Sequence, residues 1–417
     1  MFTRLTAALG KRLGIDSQYL VHNGFWVTFR YVVTSLLGLA TTVVFTRLMT
    51  PETYGTYQFI IALVAFFSFL SLPGLNMAAL KAVVAGRDRG VIQAVRWSLL
   101  VGFFGTPCLL GYALYHESFG YQGIPFDVFV ITAFSFPFFY AFNTWYVYYE
   151  GRKNFFAVMW RSLLISLVTF VALGVALMAK ASLNTLLLLY FGVTILFSVV
   201  YVGEILYQIR KERNHSKPLD FKYGLGITGQ KFVYGLTETF PVLVIGMLYG
   251  YHEVAFFQIA FFLFSSVSAY TGALMAMYLP HFFKGMALEG RRILTLNFLS
   301  GFLVVVAMAL FLLLVFPWLY DETYSTSKTL AWYLLPVMFL LPLKNYLLSY
   351  FTTQAKSKFL ISVYIGANIL GLGAASALQE SGILIVATVY LATLTLAITL
   401  PLLWYYFLYT KRLRKCV

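Results

Sequence analysis

The sequence has little charge. Only 11% of its 417 residues are Asp, Glu, Lys or Arg, whereas a soluble domain carries roughly 25%. That scarcity excludes a globular protein kept in solution by a charged surface. Cysteine is nearly missing too: Cys108 falls inside a long apolar stretch and Cys416 in a basic tail, so the two cannot form a disulfide framework. Long polar segments are also lacking. The longest connection runs only from Gln208 to Leu225, which leaves no room for a soluble domain. The five His are scattered, and no metal-ligand spacing or second carboxylate cluster joins the Asp321-Glu322 pair. An enzyme of the membrane would need such groups on a substantial outer loop, so catalysis is not expected, and no cofactor or metal site is read.

What the chain does have is apolar length. Hydrophobic residues make up 60% of it and aromatics 19%. The apolar residues come in runs of about 20, the length of a bilayer-spanning helix. Twelve spans are predicted, at 24–46, 57–79, 97–115, 127–148, 156–179, 183–208, 226–250, 255–279, 294–319, 329–352, 358–378 and 382–408. Lys and Arg orient them, because cationic loops stay cytoplasmic. With both termini inside, only Arg47, Lys180 and Lys328 fall on the outer side, and Arg30 and Lys344 fall within spans. The rest of the 30 Lys and Arg sit on the cytoplasmic side. This bias accounts for the net charge of +15 without nucleic acid and places it against the anionic inner leaflet. Phe2, Leu5, Leu9 and Leu13 mark one helical face, as in a short helix lying on the membrane surface.

The chain repeats itself. Pro51-Glu-Thr-Tyr-Gly-Thr-Tyr-Gln58 is echoed by Tyr251-His-Glu-Val-Ala-Phe-Phe-Gln258, and Glu150-Gly-Arg-Lys-Asn-Phe155 by Gln354-Ala-Lys-Ser-Lys-Phe359. Two six-span copies entering the membrane in the same direction form a parallel repeat. The fold class expected is therefore an all-α integral membrane protein, with twelve helices in two six-helix lobes around a central cavity. Residues 1–20 form the interfacial segment, 21–208 the N-lobe, 209–225 a basic cytoplasmic linker, 226–410 the C-lobe and 411–417 a basic tail.

One segment complicates this reading. Gly224-Leu-Gly-Ile-Thr-Gly-Gln-Lys231 matches G-x-G-x-x-G, the dinucleotide fingerprint. That pattern counts only after a strand and inside a βαβ unit, and one match in a chain with 31 glycines is weak.

Arg47-Leu-Met-Thr-Pro-Glu-Thr-Tyr-Gly-Thr-Tyr57 resembles the R-x-L-x-P-E-x-Y-G-x-Y segment that ends the first span of polysaccharide (O-antigen type) flippases. These belong to the multidrug/oligosaccharidyl-lipid/polysaccharide exporter superfamily. Length, span number, inside termini and the six-plus-six repeat agree with it along the whole chain. The resemblance implies a transporter of the bacterial inner membrane. It would carry an undecaprenyl-pyrophosphate-linked oligosaccharide from the inner to the outer leaflet for lipopolysaccharide or other surface polysaccharide. A cationic central cavity would hold the head group. It also implies a polysaccharide polymerase and a chain-length regulator as further partners, beside the membrane lipids. The family's seventh span often opens with a segment like K-F-G-L-P-x-x-P. Here Lys222-Tyr-Gly-Leu-Gly-Ile-Thr-Gly229 stands in that place, so the glycines are expected to break the helix entrance.

Charges within spans are costly and mark functional candidates. Arg30 lies a few residues into the first span, where a guanidinium can clamp phosphate through two parallel hydrogen bonds or simply snorkel to the surface. Lys231, counted above with the cytoplasmic cations, either stands just ahead of the seventh span or lies within it, matching Arg30 in depth through the repeat as a cation from the other lobe. Lys344 stands beside Pro342 in the tenth span, too far in to snorkel, and is a third candidate for the cavity. Glu238, near the middle of the seventh span, is expected to be buried. It would take a coupling proton, act in gating, or form a structural ion pair. Glu204 is expected to be solvated near the inner boundary. Arg47 and Glu52 read as helix-capping residues of an outer turn or as parts of an outer gate. Tyr140, Trp145, Tyr146, Tyr148, Tyr149, Trp404, Tyr405, Tyr406 and Tyr409 read chiefly as interfacial belts. A drug or small-cation antiporter of the same superfamily is the competing function. It would want carboxylates to dominate inside the spans, and here cations outnumber Glu238.

Overall fold

The computed structural model describes residues 17–118, 124–211, 219–276, 290–354 and 356–415. The interfacial segment read from Phe2, Leu5, Leu9 and Leu13 lies outside them. All regular structure among the described residues is helical. A bilayer leaves no other solution for these apolar runs, because each backbone N–H and C=O must find its partner within the segment.

The first half runs α1 (Ser17–Leu48), α2 (Pro51–Phe67), α3 (Leu75–Val84), α4 (Arg89–Gly102), α5 (Gly105–Ser118), α6 (Phe126–Phe142), α7 (Trp145–Gly151), α8 (Phe155–Met178) and α9 (Leu183–Lys211). The second half runs α10 (Phe221–Tyr249), α11 (Tyr251–Ala276), α12 (Gly290–Leu310), α13 (Phe316–Leu319), α14 (Ser325–Phe339), α15 (Leu341–Thr353), α16 (Ser357–Ala377) and α17 (Ile383–Lys415). Among the described residues, eleven stretches are long and apolar enough to cross a membrane, and the bent pair α14–α15 brings the number to twelve. Each corresponds to one expected span.

The turn into α2 shows how the sequence writes its corners. Thr50 caps the helix by accepting the Thr53 amide on its hydroxyl, Pro51 occupies the first turn and Glu52 faces the helix N-terminus. Arg47 ends α1. Tyr54 and Tyr57 then turn inward against Phe45, with ring centroids 5.8 and 4.9 Å away. These contacts give Thr50, Pro51 and Glu52 the capping role that Arg47 and Glu52 were expected to share.

Several spans depart from expectation. The third begins at Arg89, ahead of the expected 97. The second does not run on to residue 79. It closes in a 3-10 turn at Ser68–Ser71, Leu72 takes a left-handed φ of 54°, and α3 starts afresh at Leu75. Pro73 cannot donate a backbone hydrogen bond, which helps to end the helix there. The tenth span bends by 47° between α14 and α15, with Pro342 in the first turn of the second piece. The seventh begins at Phe221, ahead of the expected 226, because Asp220 accepts the Tyr223 amide at 3.1 Å and starts the helix.

The glycines of the Gly224–Lys231 stretch therefore lie inside α10 and do not break its entrance. Gly224 serves close packing against the start of α3. The Gly74 amide donates to the Thr228 hydroxyl at 3.0 Å. A methyl group on Gly74 would run into the Gly224 carbonyl oxygen and the Thr228 amide, and one on Gly224 would strike Leu75. Gly226, two residues on, faces open space.

The chain forms two compact units. The N-terminal unit is Trp26–Gly235; the C-terminal unit is Leu236 onward together with Ser17–Phe25. Residues 221–235 of α10 thus belong to the first unit and 236–249 to the second. The first falls outside the boundary expected at 208, since α10 is seated on Gly74 and Leu75.

Tight ion pairs hold the N-terminal unit. Arg152 meets Asp88 at 2.5 Å, with the Asp88 side chain only 4% exposed. One amino group of Arg161, Nη2, donates to both carboxylate oxygens of Glu204 at 2.9 and 2.8 Å. Gln208 donates to Glu204 at 3.2 Å and accepts from Tyr148 at 3.1 Å. Glu204 is therefore paired with Arg161 rather than simply solvated. Arg161 also stands over the rings of Tyr149 and Tyr201, at 4.3 and 5.3 Å. This overturns the belt reading for part of the inner aromatic cluster. Trp145, Tyr148 and Tyr149 are buried core residues, as is Tyr406 in the other unit, while Trp404 is broadly exposed. The cations over Tyr148, Tyr149 and Tyr201 make these rings more useful inside than at an interface.

Two outcomes test this packing. Gly74→Ala is expected to lower stability by about 1–3 kcal/mol through overpacking, while Gly226→Ala should be neutral or slightly stabilising. Thermal melting of the purified protein in detergent reads both. For Arg161 and Glu204, replacing either by its neutral isostere should cost more than replacing both. A double-mutant cycle should return a coupling of about 0.5–3 kcal/mol.

Candidate functional site

Three helices of the N-terminal unit bring charge to one place. Arg30 comes from α1, Glu150 from the end of α7 and Lys231 from α10. Arg30 Nη1 lies 3.7 Å from Glu150 Oε1, and the two side chains remain 21% and 25% exposed. Lys231 donates from Nζ to the Pro73 carbonyl at 3.2 Å. Its ammonium also lies within the field of Glu150. The Pro73 carbonyl stands in the break between α2 and α3, where no helix claims it, so the interruption of the second span creates this acceptor.

A polar string borders the charges. Tyr146, one turn before Glu150, has its hydroxyl 3.5 Å from Asn76 Nδ2. Asn76 Oδ1 accepts the Thr144 hydroxyl at 3.0 Å. Thr144 sits in the gap between α6 and α7. The Arg30 guanidinium stands 5.2 Å from the centroid of the Tyr31 ring. Glu150 thus pairs with Arg30 and its charge reaches Lys231, so that one carboxylate faces two cations and the cluster carries a net positive charge. Such a group can hold an anion of one or more charges through Arg and Lys donors.

Sequence reasoning singled out Arg30 and Lys231 and missed Glu150. It also assigned Lys231 to the lobe opposite Arg30. The structure places Lys231 with Arg30 in the N-terminal unit, because α10 starts early and its first turns pack on Gly74. The signal for Glu150 was present in the Glu150–Phe155 echo, where the second copy carries the neutral Gln354.

The C-terminal unit holds the other two candidates. Lys344 is half-buried in the first turns of α15, just past the bend. Glu238 on α10 lies near enough for its charge to act on Lys344. Glu238 is itself exposed among half-buried neighbours on its helix, contrary to the burial expected for it. Beside Lys344, Asn345 donates from Nδ2 to the Ser268 carbonyl at 2.8 Å and to the Thr271 hydroxyl at 2.6 Å. Among the described residues, no three His, Cys, Asp or Glu side chains meet as a metal-holding group.

Comparisons with known proteins give the chain a family and a fold. Residues 20–286 match the family model described as polysaccharide biosynthesis protein. No curated protein sequence matched the chain. Among solved structures, an inward-facing multidrug resistance MATE family transporter of the MOP superfamily aligns over 92% of this chain and 96% of its own, with TM-score 0.67 and 15% identity. A MOP superfamily transporter from Pyrococcus furiosus, titled as having a binding pocket of reverse polarity, aligns over 93% and 94%, with TM-score 0.63 and 15% identity. A Vibrio cholerae MATE transporter aligns over 98% of both chains, with TM-score 0.62 and 13% identity. At such identities the likeness is one of fold. With a family match over most of its length, this membrane protein of MATE-like transporter fold belongs to the polysaccharide biosynthesis protein family.

Proposed function

We propose that the protein is a flippase for an undecaprenyl-pyrophosphate-linked oligosaccharide, moving the head group from the inner to the outer leaflet of the bacterial inner membrane. The observation that carries this reading is the cation excess inside the spans. Arg30 and Lys231 share one carboxylate in the N-terminal unit, and Lys344 adds a cation in the C-terminal unit. A pyrophosphate brings the negative charge these groups lack. The family match to polysaccharide biosynthesis proteins supports a saccharide cargo.

In this reading Arg30 grips a phosphate with its planar fork and Lys231 supplies a point charge to the same site, while Lys344 supplies a cation within the C-terminal unit. The lipid tail stays in the bilayer while the units alternate access. Glu238 acts on Lys344 and is the candidate for coupling or gating. Direction comes from a downhill gradient or from removal of the product by a polymerase. A drug antiporter of the same fold would favour carboxylates over cations at these positions.

The test is a lipid extraction from cells depleted of the protein, probed for undecaprenyl-linked sugars. A complete lipid-linked repeat should accumulate while surface polysaccharide is lost. An incomplete repeat would point to an enzyme, and unchanged lipids with new sensitivity to a cationic compound would point to the antiporter. Arg30→Ala and Lys344→Ala should each lower export about tenfold or more at normal protein level, as expected for losing a charge-assisted contact. Arg30→Lys should keep part of the activity, since it retains charge but not the fork. Full export in both alanine variants would overturn the cationic site.

A further inference from the structure

Three pairings of arginine with a carboxylate stand among the described residues of the N-terminal unit, and they are not alike. Arg152–Asp88 is closed, at 2.5 Å with Asp88 almost fully buried. Arg161–Glu204 uses both carboxylate oxygens at hydrogen-bond length. Arg30–Glu150 is open: a single approach at 3.7 Å, beyond the length of a charge-assisted hydrogen bond. Both of its side chains keep a fifth to a quarter of their surface exposed. The first two pairs tie helices together. The third holds its partners loosely, and its carboxylate must also serve Lys231.

We propose that Glu150 is a resident counter-ion, which neutralises the Arg30–Lys231 site while it is empty and is displaced from Arg30 by the phosphate of the substrate. The proposal rests on the flippase reading and adds to it a residue that opposes binding. Its logic is electrostatic competition. Two cations left bare in a low-dielectric setting are costly, so the empty site needs an anion. One carboxylate cannot satisfy both cations fully. A pyrophosphate, with more charge and more oxygens, can replace it at Arg30 and engage the guanidinium through two parallel bonds. When the head group departs, Glu150 returns and favours release.

The backbone around Glu150 suits this role. Arg152, two residues on, is locked to Asp88, and Thr144, six residues before, is tied to Asn76. The end of α7 is thereby held at both sides of Glu150, whose own carboxylate approaches Arg30 no closer than 3.7 Å. In the repeat echo the second copy carries Gln354 where the first carries Glu150. An acid is thus not demanded by the turn itself.

The experiment uses the full chain in lipid nanodiscs and farnesyl pyrophosphate as the probe, with affinity read by intrinsic fluorescence and export read in cells. Glu150→Gln is expected to bind the probe about tenfold tighter than the native chain, equivalent to about 1.4 kcal/mol, yet to export more slowly. Tighter binding with slower turnover is not what a merely structural lesion produces. The gain should shrink in the Arg30→Ala background. Glu150→Asp, with its carboxylate drawn back by one methylene, should lie between, and it carries the test if Glu150→Gln does not yield a folded protein. If Arg30→Ala weakens binding but neither Glu150 variant tightens it, the counter-ion proposal is wrong and the cationic site stands. If Arg30→Ala and Lys231→Met both bind as the native chain does, or no chain binds the probe, the site reading fails and the proposal falls with it.

Discussion

A charge placed among apolar helices must have an opposing charge or a ring of dipoles, and that requirement organises the N-terminal unit. Desolvating an ion costs several kcal/mol, so each cation here defines what surrounds it. Arg161 draws Glu204 to it and gathers the faces of Tyr149 and Tyr201. Arg152 draws Asp88 into the core. Arg30 and Lys231 compete for Glu150. The first two arrangements are complete and therefore structural. The third is incomplete, and incompleteness is the property that lets a charged group interact with something the protein does not contain.

A second constraint acts on the backbone. Where a spanning helix is interrupted, the freed groups need polar partners. Both units solve this in a similar way. In the first, the break between α6 and α7 is tied by Thr144 to Asn76, just past the second span. In the second, the bend between α14 and α15 is tied by Asn345 to Ser268 and Thr271 of the eighth span. In each case the fourth span of a half is fastened to the polypeptide of its second. In each case a charged candidate, Glu150 or Lys344, lies within two turns of the break. The breaks present polar groups at depths where continuous helix would show only side chains.

The span pattern was legible because it depends on composition alone. Apolar runs of sufficient length must be helical, and all twelve expected spans have counterparts. What escaped was local. The end of α2 depends on Leu72 adopting a left-handed backbone, which hydropathy does not register. The place of Lys231 depends on Gly74 and Gly224 approaching closely, a contact between residues far apart in sequence. The ion pair of Glu204 was hidden because Arg161 was counted among loop cations by its position near a span end. The aromatic cluster was misjudged for the same reason, since a belt and a cation-lined core share one composition. Arg30 was legible by its depth alone. Glu150 was not, because a carboxylate at the end of a span looks solvated until its neighbours are known.

The seating of residues 221–235 in the N-terminal unit has a consequence for how the protein is made. The first six spans end with α9, yet that half lacks the Lys231 ammonium and the Thr228 hydroxyl that receives the Gly74 amide. At about 5–20 residues per second of synthesis, the six earlier spans wait in the bilayer for seconds with a cation-poor site and an uncovered glycine notch. Only when the seventh span enters does the first unit become whole. The chain's two halves are thus not independent products of the ribosome: the second supplies the last piece of the first.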